Sequence, residues 1–205
     1  MRYSETHRQE THAKLVKLAG RALRENGPER LAVADVMQAA GLTHGGFYAH
    51  FKSKDALLAE TLDGVFEESM RKFQRVTDGL PPRRALASYI DFYVSPAHRD
   101  DVSRGCPIVA LNSDLPRQSR KFRATFDRGM KLLVATLASW LEAAGIAGDS
   151  QALAASVLSA MAGAVAVARA VSDKRLSDEL LEAARDSIKA RLGLDDATLS
   201  GRTMQ

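Results

Sequence analysis

The sequence has 205 residues, of which 45% are hydrophobic and 26% are charged, with 14 glycines and 6 prolines. This composition excludes a disordered or collagen-like chain, and the length is sufficient for one or two domains that bury a core. The single cysteine, Cys106, cannot form an internal disulfide, and the first ten residues lack the apolar stretch of a secretory signal. We therefore expect a protein of the reducing cytoplasm.

The positive charge is concentrated near the N-terminus. Residues 1–54 contain nine Lys and Arg against five Asp and Glu, which accounts for the net charge of +4, because the remaining residues contain twenty of each. Four of the five histidines also lie in residues 1–54. This asymmetry favours contact with a polyanion, either nucleic acid or an anionic membrane surface, although a solvated basic helix face gives the same pattern.

The N-terminal segment predicts one long helix followed by two short ones. Apolar residues repeat at helical spacing over residues 15–23, and Asn-Gly-Pro at 26–28 provides a stop. The same spacing predicts a two-turn helix over residues 33–40, and Thr43 is a suitable N-cap for a third helix over residues 44–51. Two short helices joined by a tight turn and covered by a longer helix form the helix-turn-helix arrangement of DNA-binding proteins.

The rest of the chain also predicts helices and no strands, so the expected fold class is all-α. Ser53 is predicted to cap a long fourth helix that ends near residues 78–82. Further helices are expected over residues 83–94, directly after Cys106-Pro107, and over residues 117–144, 150–172 and 177–192, with a polar loop at 95–105.

Residues 152–171 form the most apolar window of the chain. The window is long enough to span a bilayer, but alanine dominates it and it contains Ser156, Ser159 and Arg169, so we expect no membrane span. Small apolar residues cover nearly every side of this predicted helix. Such a helix suits burial by the core on one side and by a partner subunit on the other. A purely internal helix is the alternative.

Residues 31–58, LAVADVMQAAGLTHGGFYAHFKSKDALL, resemble the DNA-binding domain of the TetR family of transcriptional regulators. The resemblance is nearly position for position in GLTHGGFYAHFKSKDALL, and the remainder has the length and helical order of the family's ligand-binding domain. The sequence departs from the family at Val33-Ala34, where the family usually has a hydroxyl residue. This departure removes one expected phosphate contact.

The resemblance implies an N-terminal three-helix DNA-binding domain at residues 1–54, a ligand-binding and dimerisation domain at residues 55–192 and a flexible tail at residues 193–205. It also implies a homodimer that binds a palindromic double-stranded DNA operator and represses transcription until a small-molecule or electrophile effector releases it. The sequence leaves the operator, the effector and the choice between repression and activation open. A helical enzyme or scaffold that has lost DNA binding is the alternative of a different class.

Eight residues are candidates for contacting DNA. Gly45 and Gly46 lack side chains where the backbone would approach the major groove, which offsets their loss of helix propensity of about 1 kcal/mol each. The other six can reach phosphates or base edges. They are Thr43, His44, Tyr48, His50, Lys52 and Lys54. The alternatives are a partly buried aromatic ring for Tyr48 and a solvated imidazole for His50, whereas Phe47 and Phe51 are expected in the core.

Three further basic residues near the N-terminus, Arg2, Arg8 and Lys14, carry two interpretations. They either contact DNA or belong to a disordered or solvated arm. Charge alone does not separate these interpretations.

Cys106 is a candidate effector-sensing residue. Gly105-Cys106-Pro107 precedes an apolar run, so Pro107 can occupy the first helical position and leave Cys106 at the N-cap, with Arg104 close by. That position favours a thiolate. The segment RGCPIVALNSDL also resembles a branch of the TetR family that senses electrophiles or oxidants through a cysteine. The alternative is a small buried hydrophobic residue.

An effector pocket is expected in the C-terminal domain, although aromatic residues and Met at helical spacing are more often core. The candidates are Phe66, Met70, Tyr89, Tyr93, Phe122, Phe126 and Trp140, followed by Phe73, Phe92 and Met130.

We expect no enzyme. Cys106 and His98 could act as nucleophile and base, but His98 falls in the predicted polar loop without an orienting partner. The sequence has neither metal-ligand spacing nor a glycine-rich phosphate loop, so no metal and no cofactor are expected.

Overall fold

The computed structural model describes the backbone of residues 2–194 and the side chains of residues 5–194. Within these residues the chain forms helices and no strands, which confirms the all-α prediction. The α-helices are α1 (Arg2–Arg30), α2 (Val33–Ala40), α3 (Lys54–Thr77), α4 (Pro82–Tyr93), α5 (Pro96–Asp100), α6 (Pro107–Leu111), α7 (Arg120–Ala143), α8 (Ser150–Ala170) and α9 (Lys174–Arg191), and short 3-10 helices lie at His44–Ala49, Val102–Arg104 and Leu115–Arg117.

Three predicted helix boundaries are confirmed by the residues that cause them. Gly27 interrupts α1 with φ 76° and precedes Pro28, and Gly41 ends α2 in the left-handed conformation, with φ 79° and ψ 26°. Ser53 caps α3, because its Oγ accepts a hydrogen bond from the Ala56 N–H at 3.1 Å.

The third predicted helix differs from expectation. It is a 3-10 helix over His44–Ala49, and Thr43 occupies the predicted N-cap position, but its side chain accepts no capping hydrogen bond. Two adjacent glycines lower the α-helical propensity of this six-residue segment.

The prediction of a polar loop at residues 95–105 was wrong. It contains α5, because Ser95 accepts a hydrogen bond from the His98 N–H and Pro96 fits the first turn. Helix α9 begins three residues before its predicted start at Ser177, because Asp173 accepts hydrogen bonds from the Arg175 and Leu176 N–H groups.

The chain packs as two compact units. The first unit contains the residues up to Glu68 together with Val102–Gly129, and the second contains Ser69–Asp101 together with the chain from Met130 onward. The domain boundary expected at residue 54 stays a prediction. The expected tail at residues 193–205 lies outside the described residues from position 195 onward.

In the first unit, α1 and α3 cross closely because glycines face each other's helix. A Cβ atom at Gly20 would lie 3.2 Å from Val65, and one at Gly64 would lie 3.2 Å from Val16. Arg24 is 4% exposed, pairs with Glu68 of α3, and donates to the Ser103 carbonyl at 2.9 Å. These bonds attach the segment that begins at residue 102 to α1.

In the second unit, helix α8 supplies much of the core. Its buried residues are Ala154, Val157, Leu158, Met161, Ala162, Val165 and Ala168. The helix is long and apolar enough to cross a membrane by length and composition, and 39% of its most apolar window is buried inside the protein. A core helix passes the same test, and the buried residues repeat at the spacing of one helix face.

Helix α5 is attached to α8 and α9 by two arginines. Arg99 is 3% exposed and donates to Ser177 Oγ at 2.6 Å and to Asp178 at 2.5 Å. Arg169 donates to the backbone carbonyls of Arg99 and His98 at 2.8 and 2.9 Å. These bonds fix α5, which the sequence did not predict, within the second unit.

Candidate nucleic-acid interface

The segment at residues 43–54 is anchored by two aromatic residues. Phe47 and Phe51 are 3% and 4% exposed, as predicted, and their rings stack with centroids 5.6 Å apart. The ring of His12 in α1 stacks on that of Phe51 with centroids 4.5 Å apart. His12 also pairs with Glu60 of α3. Phe47 and Phe51 therefore fix the inner side of residues 43–54, and Phe51 joins this segment to α1.

Two basic residues of α1 bind the carboxyl ends of the short helices. Arg8 donates to the Ala49 carbonyl at 2.7 Å, and Lys14 donates to the Ala40 carbonyl at 2.9 Å. Cations at these ends donate to carbonyls that have no partner within the helix, and they interact favourably with the negative end of the helix dipole. Both residues thus hold the helix-turn-helix together, a role that no local sequence pattern indicated. The side chain of Arg2 lies outside the described residues.

Five of the eight predicted DNA-contacting residues are exposed, namely Thr43, His44, Gly45, Tyr48 and Lys52. Tyr48 is 72% exposed, the largest value among the exposed large hydrophobic residues, which excludes a partly buried ring in this structure. Gly46, His50 and Lys54 are half-buried. Lys54 donates to the Glu29 carbonyl at 3.2 Å, so its ammonium is already oriented by α1.

Gly45 has no structural reason to be glycine. Its φ is not positive, and a Cβ atom built on it meets nothing within 4 Å. A Cβ at Gly46 would meet Met37 at an ordinary 3.4 Å. The fold therefore tolerates a methyl group at Gly45, and the missing side chain leaves the backbone at this point open to close approach by another molecule.

His50 is the candidate that the fold constrains most. Its Nδ1 is buried and has no hydrogen-bond partner among the described residues, and its ring lies 6.0 Å from that of His12. Burial lowers the pKa of His50, and the nearby His12 and Arg8 lower it further. With one ring nitrogen buried and the ring half-buried, His50 is not a fully solvated imidazole in this structure.

The second unit contains a very small apolar cavity of about 10 Å³. It is lined by Met70, Phe73, Tyr89, Leu133, Thr136, Leu137 and Leu158. Of the predicted pocket residues, Met70, Tyr89 and Phe73 line this cavity, and Trp140 packs edge-on against Phe73 with ring centroids 4.8 Å apart.

The other predicted pocket residues lie elsewhere. Phe66, Phe122 and Phe126 belong to the first unit, where Phe66 packs edge-on against Phe126 at 5.6 Å. Tyr93 packs edge-on against His98 at 4.6 Å, and Phe92 is 38% exposed. Aromatic residues at helical spacing thus serve the cores of both units, which the sequence did not separate.

Cys106 occupies the predicted N-cap of α6, with Pro107 in the first turn. Its side chain is 6% exposed, which agrees with the alternative of a small buried residue. His98 lies in α5, and its Nδ1 is 2.7 Å from the Tyr93 carbonyl. Burial lowers the pKa of His98 to about 4. Cys106 and His98 belong to different units.

Among the described residues, no group of three or more His, Cys, Asp or Glu side chains is arranged to hold a metal ion.

Comparison with known proteins identifies both halves of the chain. The sequence profile of "Bacterial regulatory proteins, tetR family" matches residues 15–61, and that of "Transcriptional regulator LmrA/YxaF-like, C-terminal domain" matches residues 82–186. The second match alone spans half of the chain.

Curated relatives agree with these profiles. The chain is 28% identical over 190 residues to an uncharacterized HTH-type transcriptional regulator of Mycobacterium tuberculosis, with 87% of this chain and 94% of that protein covered. It is 36% identical over 67 residues to the HTH-type transcriptional regulator TtgR of Pseudomonas putida, with 33% of this chain and 32% of TtgR covered. The match therefore spans about a third of the length of TtgR.

Solved structures show the same fold. Reduced E. coli NemR has a TM-score of 0.77 at 20% identity, covering 88% of this chain and 96% of NemR. A TetR transcriptional regulator from Chloroflexus aurantiacus has a TM-score of 0.76 at 25% identity, covering 92% of this chain and 96% of that one. With an N-terminal helix-turn-helix and an all-helical C-terminal half that match the family profiles, the chain belongs to the TetR family of DNA-binding transcriptional regulators.

Proposed function

We propose that the protein is a homodimeric, non-enzymatic repressor of the cytoplasm that binds a palindromic operator through residues 43–54. In this proposal, a small molecule or a thiol-reactive compound releases the operator. The observation that carries the proposal is the outer surface of the 3-10 helix. There a Cβ atom at Gly45 would meet nothing within 4 Å, and Tyr48 is 72% exposed. Neither residue is needed there by the fold, and both suit a DNA backbone.

The DNA contact divides between positioning and reading. Gly45 allows the helix to approach the groove, while Thr43 and His44 at its start reach base edges or phosphates. Tyr48 and Lys52 are exposed donors for phosphates on the flank of the groove. Lys54, which is oriented by the Glu29 carbonyl, adds a further phosphate contact.

The proposed dimer interface is the outer face of α8 and α9. After Gln151, the exposed residues on α8 are small or apolar and repeat at helical spacing, including Ala152, Ala155, Ser159, Gly163 and Val167. Val167 is 53% exposed and Leu176 of α9 is 43% exposed. Such a face packs closely against a second copy as a four-helix bundle. Its two-fold symmetry would present two reading segments about one helical turn apart or slightly more.

The proposed effector is a compact, largely apolar molecule. The cavity in the second unit is lined by apolar and aromatic side chains, with Thr136 and Tyr89 as its hydroxyl-bearing residues. Its volume of about 10 Å³ is far below the roughly 300–1,000 Å³ of typical ligand pockets, so no ligand fits without movement of its walls. Entry of a ligand would therefore separate α3, α4 and α7, and a different affinity of the ligand for the two dimer geometries would drive release of the operator.

Modification of Cys106 is the second candidate for the release step. Its N-cap position places the thiol at the start of α6, and its burial slows attack by a reagent. Cys106→Ser separates the two mechanisms, because a thiol sensor would keep operator binding and lose release by oxidants. A reversible ligand site would be unaffected by this substitution.

Selection of tight binders from a pool of random duplex DNA tests the proposal. Reduced protein and protein treated with a thiol-reactive electrophile are used in parallel. A palindrome recovered with reduced protein alone supports the repressor and Cys106 as its switch, whereas the same palindrome from both samples supports a reversible ligand. Enrichment of no sequence in either sample would contradict the proposal and favour a helical scaffold.

A further inference from the structure

The first turns of α7 and the residues just before it carry a dense group of positive charges. Residues 117–128 contain five Lys and Arg and a single acidic residue, Asp127. These residues lie within the segment Val102–Gly129, which packs in the same compact unit as the helix-turn-helix. The charges therefore belong to the structural unit that carries residues 43–54.

Two of the five cations are used within the protein. Arg117 pairs with Asp114 at 2.8 Å, and Arg128 donates to Asp63 at 3.1 Å and to Thr125 Oγ1 at 3.1 Å. Their charges are partly neutralised, and they hold the start of α7 to its surroundings in the first unit.

The other three cations are Arg120, Lys121 and Arg123, and we call them the basic face. All three are exposed, and within the described residues none forms an ion pair or a side-chain hydrogen bond. Phe122 and Thr125, 1% and 2% exposed, mark the buried side of the same helix. The basic face thus presents three uncompensated charges to solvent.

The residues just before the basic face lie near one of the predicted phosphate-contacting residues. Glu29 connects the two regions, because its carbonyl accepts from Lys54 Nζ at 3.2 Å and its carboxylate lies 3.8 Å from Arg117 Nε. Glu29 of α1 therefore lies between Lys54 of α3 and Arg117, three residues before α7. A duplex contacted by Lys54 that extends along this side of the unit would run toward the basic face.

We propose that the basic face binds the phosphates of duplex DNA that flanks the base pairs contacted by residues 43–54. This inference rests on the DNA-binding function. Duplex DNA carries one charge per roughly 1.7 Å of axis, so displaced counterions reward each added cation contact without regard to sequence. The basic face would enlarge the bound length of DNA and strengthen binding at arbitrary sequences.

Salt titration of duplex binding tests the assignment. The probe is a duplex of arbitrary sequence, roughly four helical turns long, and affinity is measured by fluorescence anisotropy. The test variant combines Arg120→Gln, Lys121→Gln and Arg123→Gln. The control variant combines Arg75→Gln, Arg84→Gln and Lys131→Gln, which removes the same charge from exposed positions of the second unit.

We expect the slope of log affinity against log salt to become shallower by about 0.9 for each lost contact, up to roughly 3 per protomer, in the test variant. The control variant should keep the slope of the unmodified protein. Equal slopes for the unmodified protein and both variants would overturn the assignment, as would an equal decrease in both variants, which would indicate net charge alone.

A third variant, Tyr48→Ala with Lys52→Gln, distinguishes this failure from a failure of the proposed function. If that variant weakens binding while the test variant does not, residues 43–54 contact DNA and the basic face does not. If the unmodified protein shows no salt-dependent duplex affinity, both proposals fail. The basic face would then be either a set of solvated cations without a partner or a binding site for an acidic protein.

Discussion

Substitution of Gly45 by alanine separates folding from DNA binding at a single atom. The added Cβ meets nothing within 4 Å in the protein, and the φ of Gly45 is not in the left-handed region. Alanine should therefore stabilise the fold, because it removes the excess backbone entropy that glycine loses on folding, worth about 0.5–1 kcal/mol. For a chain of this size that gain corresponds to a rise in Tm of about 1–4 °C.

The same methyl group should weaken DNA binding. If the backbone at Gly45 approaches the duplex closely, the Cβ occupies that space and moves the 3-10 helix outward, which lengthens the contacts of its neighbours. Loss of one bidentate or phosphate contact costs about 1–3 kcal/mol, or roughly a 5- to 150-fold weaker Kd. Thermal unfolding and anisotropy titration on the selected duplex measure the two effects.

The thermal measurement is the internal control, because a stabilised variant that binds poorly has not lost its fold. Unchanged affinity in a folded Gly45→Ala protein would refute the reasoning that the bare backbone serves DNA. Reduced stability would refute the separate claim that the fold has room for a methyl group at this position.

Three further substitutions or conditions test the account. Thr61 is fully buried, and its hydroxyl has no hydrogen-bond partner among the described residues. Thr61→Val should therefore raise the free energy of unfolding, measured by urea denaturation, by about 1 kcal/mol. A loss of stability would show that the hydroxyl is hydrogen-bonded in solution. Gly163→Arg should abolish the dimer in light scattering while the helical circular dichroism is kept, since a Cβ there has open space in the single chain, and Ala135→Arg on the exposed side of α7 is the control that should remain dimeric. The pKa of His98 is lowered mainly by burial to about 4, below its value in the unfolded chain, so protonation favours unfolding. The neutral ring is fully compatible with folding above about pH 6.5, and as the pH falls from about 6.5 toward 4 the protein should lose stability, by about 2 kcal/mol at pH 5. His98→Gln should remove this part of the pH dependence, and an unaltered dependence would contradict the burial of the ring.

Local patterns predicted the helices and most of their ends, because periodicity, glycine stops and side-chain caps act over a few residues. Gly27, Gly41 and Ser53 each ended or started a helix where the sequence indicated. The same local rules misjudged residues 95–105, where Ser95 and Pro96 start a helix that the polar composition concealed. Short polar helices depend on neighbours, and α5 is held by Arg99 and Arg169.

The sequence predicted which residues of the candidate site are exposed but not the contacts that hold the site in place. The motif indicated which residues face outward, and Tyr48 and Gly45 do so. It did not indicate that Arg8 and Lys14 bind backbone carbonyls 41 and 26 residues away, because the partners of long side chains depend on tertiary packing. The division of aromatic residues between two cores was hidden for the same reason.

The central claim is that the outer surface of residues 43–54 binds duplex DNA. Hydroxyl-radical labelling followed by mass spectrometry measures this directly, because Tyr48 is 72% exposed in the protein alone. We predict that the selected duplex suppresses labelling of Tyr48 and leaves Leu132, 52% exposed in the second unit, as reactive as before. Undiminished labelling of Tyr48 under conditions where the duplex is bound would contradict the account.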